Sequence, residues 1–385
     1  MGSVARSRTT WWPLAGMLLV LAAAAPLVHY WLTNPDDQRL VDLDVYRLGG
    51  QALLDGLPVY GVVTPAPQLL PFTYPPISAM LAVPLAMVPW PVLQWVWTAA
   101  IVATLVAVVW VAFPEQRKWL PLVTIACLYL MPIRDQIRFG QVDLFLVALC
   151  LFDVVVKRPW WPRGILIGIA TAVKLTPGVF LILLLLVAWR KPYRNEEMKT
   201  FLTASGTAAL LTVIPFLVIP QDAVDFWFGA LLDSERLGAN TATTNQSMRG
   251  MLLRLYWPDA LTTVLWLAAV AFIGWYGFRA ARRHYLAGDA LTATALTGLM
   301  AVLLSPVAWI HHLAWIVVVL AALPSIRRQA VTWVYYVLPI PWWGAYIKMW
   351  EIPVLSPTLG KIVQNAFGLG AIALVFILAR TRAKP

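Results

Sequence analysis

Residues 12–32 read WPLAGMLLVLAAAAPLVHYWL, an apolar run that follows the basic residues Arg6 and Arg8. A helix of about twenty apolar residues is long enough to cross the hydrocarbon core of a bilayer. The small residues Ala22 to Ala25 would also suit a signal-peptide cleavage site, but the run continues through Leu32 without a clear cleavage context. We therefore predict a first membrane span over residues 12–32.

The composition of the whole chain agrees with this prediction. Of its 385 residues, 61% are hydrophobic and 12% are charged, and the mean hydropathy is +0.74. Soluble domains carry more charge than this on their surfaces. The two cysteines, Cys127 and Cys150, lie inside apolar runs, so we infer neither a disulfide nor a metal site from them. The chain is expected to be an all-α, polytopic integral membrane protein.

Apolar runs along the chain predict about twelve transmembrane helices in a single transmembrane domain over residues 1–385. The predicted spans are residues 12–32, 91–113, 119–133, 142–156, 160–173, 176–189, 200–219, 260–279, 290–305, 308–323, 331–347 and 362–379. Residues 75–90 are also apolar, but prolines at positions 75, 76, 84 and 89 make a full-length helix unfavourable there. We expect that segment to be re-entrant or interfacial.

The distribution of basic residues predicts the orientation. With the N-terminus in the cytoplasm, 19 of the 29 basic residues but only 5 of the 18 acidic residues fall on the cytoplasmic side. Both termini are then cytoplasmic. The net charge of +11 reflects this topology, and we expect no nucleic-acid partner. The first outer loop covers residues 33–74, and a large outer loop covers residues 220–259.

Candidate functional residues all map to the predicted outer face. Asp42 and Asp44 follow the first span, and Val45, Leu48 and Ala52 recur at helical spacing, which predicts an amphipathic helix on the membrane surface. A carboxylate near the interface can act as a general base on a hydroxyl group. For any single aspartate, a solvated loop carboxylate is the simpler interpretation.

Several cations and two histidines lie at the same predicted depth. Arg134, Arg138 and Lys174 could hold a phosphate, although snorkelling anchors are the alternative. His311 and His312 could bind a sugar or a phosphate, but adjacent side chains on a helix point about 100° apart, which disfavours chelation of one metal ion. We therefore predict no metal site. The remaining candidates for substrate contacts are Tyr46, Arg47, Tyr74, Gln141, Asp143, Asn245 and Gln246.

The order of these motifs resembles glycosyltransferase family 87 of the GT-C superfamily. The resemblance is carried by the stretches DLDVYRLGG (42–50), FTYPP (72–76), GQVD (140–143), KLTP (174–177), NQSMRG (245–250) and SPVAWIHH (305–312). Together they extend from about residue 40 to about residue 315. The combination is specific, although each piece alone is not.

The resemblance implies a GT-C fold and a polyprenyl-phosphate-sugar donor. Actinobacterial members include PimE-type α-1,2-mannosyltransferases, which would make Asp42 the base, Asp44 its substitute, and the histidines contacts for donor phosphate or acceptor. It implies inverting mannose transfer to a phosphatidylinositol mannoside or lipomannan at the outer side of the plasma membrane. We expect no cofactor, since the lipid-linked sugar is a substrate. An arabinofuranosyltransferase of the same fold and a twelve-helix secondary transporter remain alternatives at this point.

Overall fold

The computed structural model describes residues 12–35 and 38–382. Arg6, Arg8 and Lys384, which contributed to the predicted orientation, lie outside the described residues. Within the described residues the secondary structure is helical, with isolated bridges between Val63 and Pro71 and between Asn245 and Trp309. The prediction of an all-α protein is confirmed.

The α-helices are α1 (Trp12–Leu32), α2 (Val41–Leu54), α3 (Pro76–Ala86), α4 (Trp90–Ala112), α5 (Leu120–Leu128), α6 (Met131–Phe139), α7 (Asp143–Val155), α8 (Ile165–Val173), α9 (Val179–Ala188), α10 (Glu196–Val218), α11 (Pro220–Phe228), α12 (Met248–Leu253), α13 (Asp259–Leu286), α14 (Ala290–Leu303), α15 (Ile316–Ala322), α16 (Ile326–Val337), α17 (Ile340–Lys348), α18 (Leu355–Gln364) and α19 (Ala366–Ala379). Short 3₁₀ helices are Pro114–Trp119, Thr176–Gly178, Ala230–Leu232, Ser234–Leu237 and Ile310–Trp315.

Four described helices are long and apolar enough to cross a membrane: Leu14–Leu32 within α1, and α4, α10 and α13. Two bent helix pairs raise this number to six if each pair forms one span. The chain therefore has the helices of a membrane protein, and the count of twelve spans and the orientation of the termini stay predictions.

Several predicted spans are not single helices. The predicted span 119–133 is divided between α5 and α6, whose axes differ by 74°, and Pro132 stands where the second helix begins. The predicted span 331–347 is divided between α16 and α17, with Pro339 and Pro341 at the break. Proline disfavours helical conformation in the residue before it, so these breaks have a local cause.

The centre of the core is α14, in which every residue from Thr292 to Leu303 is buried. It packs against α7, α9, α13, α15 and α19. Because α14 is covered on all sides, its sequence is apolar or carries threonines whose hydroxyls bond back to the helix, as Thr297 does to the Ala293 carbonyl at 2.8 Å.

The helix predicted after the first span is present as α2, but its buried side faces protein. It packs on α3, and a Cβ at Gly50 would lie 2.5 Å from the carbonyl oxygen of Ala82. Glycine therefore permits this close approach of the two helices. The segment at residues 75–90 contains the short helix α3, and its interfacial position stays a prediction.

The first loop also docks on the segment that follows α10. The Val59 N–H donates to Asp222 at 2.7 Å, Arg236 donates to the Tyr60 carbonyl at 2.9 Å, and the rings of Tyr60 and Phe226 are 5.5 Å apart. These contacts join two distant parts of the chain.

Candidate active site

The start of α2 is fixed to the end of α6. Leu40 precedes α2 with a φ of 50°, and its N–H donates to the Arg138 carbonyl at 3.0 Å. Gly140 ends α6 with a φ of 68°, and a Cβ there would lie 2.7 Å from the Leu43 side chain. A glycine is required at this turn for both reasons, and the turn places Gln141 beside the first turn of α2.

Asp42 faces a cluster of polar side chains. Tyr46, one turn along α2, donates its hydroxyl to Gln141 Oε1 at 3.0 Å. The Tyr74 hydroxyl lies 3.4 Å from the same oxygen and 3.0 Å from the Tyr46 hydroxyl. Because the amide oxygen is occupied by these phenols, the Gln141 N–H group is the part that interacts with the Asp42 carboxylate.

The environment of Asp42 suits a general base. Burial raises the pKa of Asp42 from 3.8 to about 7, and the hydrogen bond from Gln141 and the charge of Lys174 offset part of that rise. The negative charge of Asp143 adds to it. A carboxyl group with a pKa near 7 is a stronger base than an exposed aspartate and is still partly ionised at neutral pH.

Lys174 is positioned where α8 stops. The helix ends at Val173, and Lys174 adopts an extended backbone with φ −149° and ψ 132°. Ser78 of α3 donates to the Val173 carbonyl at 2.7 Å, and Pro177 lies in the short 3₁₀ helix that follows. Proline cannot continue a helix, and the Ser78 bond satisfies a carbonyl left open at the helix end.

The Lys174 ammonium joins three parts of the chain. It donates to Asp143 Oδ1 at 2.7 Å and lies 2.9 Å from His312 Nε2 and 5.2 Å from the centre of the Tyr74 ring. The side chains of Lys174, Asp143 and His312 are 13%, 9% and 14% exposed, so a bound molecule can still reach them. The structure therefore brings Asp42, Tyr46, Tyr74, Gln141, Asp143, Lys174 and His312 into one cluster.

The tautomer of His312 follows from its backbone contact. The Trp309 N–H donates to His312 Nδ1 at 2.9 Å, so the neutral ring carries its proton on Nε2. Nε2–H and the Lys174 ammonium are then two donors only 2.9 Å apart. An anion that accepts a hydrogen bond from both groups would remove this conflict, and the predicted contact of the pair with a donor phosphate stays a prediction.

His311 also approaches Asp143, contrary to the expectation that adjacent histidines diverge. Its Nε2 lies 3.9 Å from Asp143 Oδ2, and both atoms are buried without a hydrogen-bond partner in the described chain. The atoms of Asp143, His311 and His312 that could ligate a metal lie within 4.8 Å of one another. The two imidazole rings, whose centres are 4.6 Å apart, therefore both approach one carboxylate. Lys174 already places a cation beside these groups, which favours the ion pair over a metal site.

Arg134 and Arg138 lie on α6, next to this cluster. The Arg138 guanidinium stacks on the rings of Trp31 and Phe139, with its central carbon 5.0 Å and 4.8 Å from their centres. The Nε atoms of both arginines are buried without a hydrogen-bond partner among the described residues. The structure shows no contact of either arginine with Lys174 or His312 in the described chain, so their predicted contact with a donor phosphate stays a prediction.

Asp44 does not share the site of Asp42. The two aspartates are two residues apart on α2, so their side chains are separated by a rotation of about 200° around the helix axis. Asp44 lines a separate cavity together with Arg47, whereas Tyr46 lies on the side of Asp42. The structure does not bring Asp44 into the cluster around Asp42, so its role as a substitute base stays a prediction, and Arg47 lines the same cavity as Asp44.

Asn245 and Gln246 organise a loop and expose no surface. Asn245 accepts from the Ala308 and Ser247 N–H groups at 3.0 and 3.2 Å, and Gln246 accepts from Gly368 at 2.8 Å while its amide donates to backbone carbonyls. All these groups are used inside the protein, so the structure does not bring either side chain into the cluster, and the predicted substrate contacts of both residues stay predictions. Their role is to hold the segment before the histidines.

A match to a known family covers most of these segments. Residues 72–306 match glycosyltransferase family 87. The chain belongs to this family. It is therefore a glycosyltransferase, and the cluster around Asp42 and Lys174 is its candidate active site.

Curated relatives of this family 87 chain come from mycobacteria. A polyprenol-phosphate-mannose-dependent alpha-(1-2)-phosphatidylinositol mannoside mannosyltransferase of Mycolicibacterium smegmatis is 36% identical over 76% of this chain and 71% of its own. A protein of the same name in Mycobacterium tuberculosis is 31% identical over 86% of this chain and 80% of its own length. A pentamannoside mannosyltransferase of M. smegmatis with the same donor in its name is 32% identical over 88% and 85%. No solved structure matches the chain.

Sequence reasoning missed two residues that position the family 87 site. The fully buried Gln136 donates to the His311 carbonyl at 2.7 Å and accepts from the Leu144 N–H at 3.2 Å, which joins α6, α7 and the histidine segment. Trp309 acts through its backbone N–H. Gln136 stands among the charged residues Arg134, Asp135 and Arg138, so the side-chain pattern does not single it out, and a backbone contact such as that of Trp309 has no signal in that pattern either.

Proposed function

We propose that the protein transfers mannose from polyprenyl-phosphate-mannose to a 2-hydroxyl of a phosphatidylinositol mannoside or lipomannan, forming an α-1,2 linkage with inversion. The relatives' names support this donor and acceptor class. The observation that carries the proposal is the placement of one half-buried carboxyl, Asp42, beside two convergent donors, Lys174 and His312.

The two halves of the site have complementary tasks. The Asp42 carboxylate takes the proton of the acceptor hydroxyl while its oxygen attacks the anomeric carbon of mannose. The bond between that carbon and the phosphate oxygen breaks, and polyprenyl phosphate leaves with the bonding electrons. The Lys174 ammonium and the His312 N–H hold the phosphate and stabilise the charge that grows on it.

The site is proposed to face the outer side of the plasma membrane. The distribution of basic residues supports this orientation, because it places the loops that carry Asp42 and His312 opposite the basic clusters. The polyprenyl chain would then stay in the lipid phase while its phosphate meets Lys174.

The test is transfer by the purified full chain in lipid nanodiscs. Polyprenyl-phosphate-mannose and polyprenyl-phosphate-arabinose are offered in parallel with phosphatidylinositol mannoside acceptors. We expect mannose transfer, reduced about 10²- to 10⁴-fold or more in Asp42→Asn, because a positioned general base contributes about that factor. The control is Asp55→Asn, which removes an exposed carboxylate at the opposite, C-terminal end of α2.

Each contrary result has a distinct meaning. Mannose transfer that persists in Asp42→Asn would show that Asp42 is not the base. Transfer of arabinose alone would replace the proposed donor by its same-fold alternative. Absence of both transfers in a folded wild-type protein would contradict the proposed reaction.

A further inference from the structure

A cavity lies on the side of α2 that carries Asp44 and Arg47. It measures about 330 Å³ and is lined by Arg39, Val41, Asp44, Arg47, Thr64, Pro65, Ala66, Gln68 and Trp90. This volume is at the lower end of ligand sites, which suits a headgroup but not a whole glycolipid. The proposed mechanism uses none of these residues.

Arg47 is the residue that points to a ligand. Its Nε atom is buried and has no hydrogen-bond partner in the described chain, and its guanidinium lies 5.9 Å from the centre of the Trp90 ring. Asp44 is close enough to feel its charge but forms no ion pair with it among the described residues. A guanidinium in this state has unused donors suited to the oxygens of a phosphate.

Other polar residues line the cavity beside Arg47. Arg39 lines it and donates to the Leu32 carbonyl at 2.7 Å, and Asp44 is the aspartate among the described lining residues. The carboxylate of Asp44 and the polar groups of Thr64 and Gln68 provide partners for hydroxyl groups. This combination fits an anion that also carries hydroxyls.

The cavity lies where two candidate membrane spans end on the same side. Leu32 is the last residue of the first span, and Trp90 is the first residue of the span formed by α4. A tryptophan at such a position sits at the depth of lipid headgroups. Arginine side chains near the ends of membrane helices reach the headgroup level, where lipid phosphates lie, so the position favours a lipid phosphate over a phosphate free in solution.

We propose that this cavity binds the phosphodiester of the acceptor's phosphoinositol headgroup, with Arg47 as its main contact and the inositol hydroxyls near Asp44. The proposal rests on the proposed function. The sugar chain of the acceptor then passes around α2, whose diameter is about 10 Å, and brings its terminal hydroxyl to Asp42 on the opposite face. The enzyme would thus select acceptors by the distance between their phosphate and their reacting hydroxyl.

The first experiment compares two acceptors in nanodiscs of phosphatidylcholine. One is a phosphatidylinositol mannoside, and the other is an alkyl α-mannoside without a phosphate. The compared quantity is kcat/KM for the phosphatidylinositol mannoside divided by kcat/KM for the alkyl mannoside. We expect Arg47→Gln to lower this ratio about tenfold, by raising KM for the phosphate-bearing acceptor. Arg158→Gln, an exposed arginine distant in the chain, serves as the control and keeps the wild-type ratio. A ratio unchanged in Arg47→Gln would overturn the proposal, since a merely structural role lowers both values together.

The second experiment needs no transfer and so separates this inference from the proposed function. Binding of short-chain phosphatidylinositol, short-chain phosphatidylcholine and inorganic phosphate to the full chain in detergent is measured by native mass spectrometry. We expect wild type to retain phosphatidylinositol and Arg47→Gln to retain about tenfold less. Equal retention by both proteins, or displacement of the lipid by an equal concentration of inorganic phosphate, would overturn the assignment. A thermal unfolding curve of Arg47→Gln that matches wild type shows that the comparison is made on folded protein.

Discussion

The raised pKa of Asp42 predicts a pH dependence in a range where ordinary aspartates do not titrate. The difference between 3.8 and about 7 corresponds to about 4 kcal/mol in favour of the neutral acid. Burial raises the pKa, and only the ionised form can accept a proton, so activity rises with pH. For a single group with this pKa, about one tenth is ionised at pH 6 and about nine tenths at pH 8, which gives a rise of about tenfold in kcat/KM.

The assay is initial-rate transfer between pH 5.5 and 8.5, because kcat/KM reports groups of the free enzyme. The donor phosphodiester stays ionised throughout this range. Gln141→Met provides the internal test, since it removes a hydrogen bond that lowers the pKa of Asp42. The rise of kcat/KM with pH, here called the acidic limb of the profile, should then move to higher pH. Asp55→Asn, at an exposed site on the same helix, should leave the limb where it is.

Two outcomes would refute this reasoning. A wild-type profile that is flat between pH 6 and 8 would mean that the base is not a buried carboxyl. A limb that moves to lower pH in Gln141→Met would mean that the amide does not stabilise the Asp42 carboxylate. The histidines can be separated from Asp42 by repeating the profile in His312→Gln, whose limb should persist at reduced activity.

Two further predictions concern binding and packing. Lys174→Ala should raise KM for the lipid-linked donor about tenfold or more, because a charge-assisted contact with phosphate is lost, and should change KM for the acceptor less. Equal changes in both KM values would indicate a structural role. Gly50→Ala should destabilise the protein by about 1–3 kcal/mol, because the new Cβ would meet the Ala82 carbonyl at 2.5 Å, and thermal unfolding measures this. Gly206→Ala is the matched control, since a Cβ there meets nothing within 4 Å; equal melting temperatures would contradict the packing argument.

The class of the protein and part of its site could be predicted from the sequence. Long apolar runs identify membrane helices because no other arrangement satisfies the backbone in lipid. Lys174 could be singled out because a charge inside an apolar hairpin is costly unless it is used. Asp143 was also a candidate, but its pairing with Lys174 could not be predicted, since the two residues are 31 positions apart and meet only after α7 and α8 pack.

Other features depend on geometry that a pattern does not contain. Asp42 and Asp44 look equivalent in sequence, and only the packing of α2 on α3 and α6 shows that Asp42 faces the polar cluster around Gln141 whereas Asp44 lines a cavity. The histidines meet Asp143 because the Trp309 N–H holds the His312 ring, a contact between a backbone and a side chain. By contrast, the helix breaks near Pro132 and Pro339 could have been predicted, and the assumption of straight spans concealed them.

The ends of the helices explain how one lysine can be both paired and available. Asp143 is the first residue of α7, where the helix dipole favours a negative charge, and Lys174 follows the end of α8, where the dipole favours a positive charge. Each partner is therefore stabilised by its own helix as well as by the other. In the proposed mechanism, Lys174 would move its hydrogen bond from Asp143 to the donor phosphate, and the dipole of α7 would still stabilise the Asp143 carboxylate. Charges placed at helix ends in this way would let the site hold an ion pair before the donor arrives and an anion afterwards.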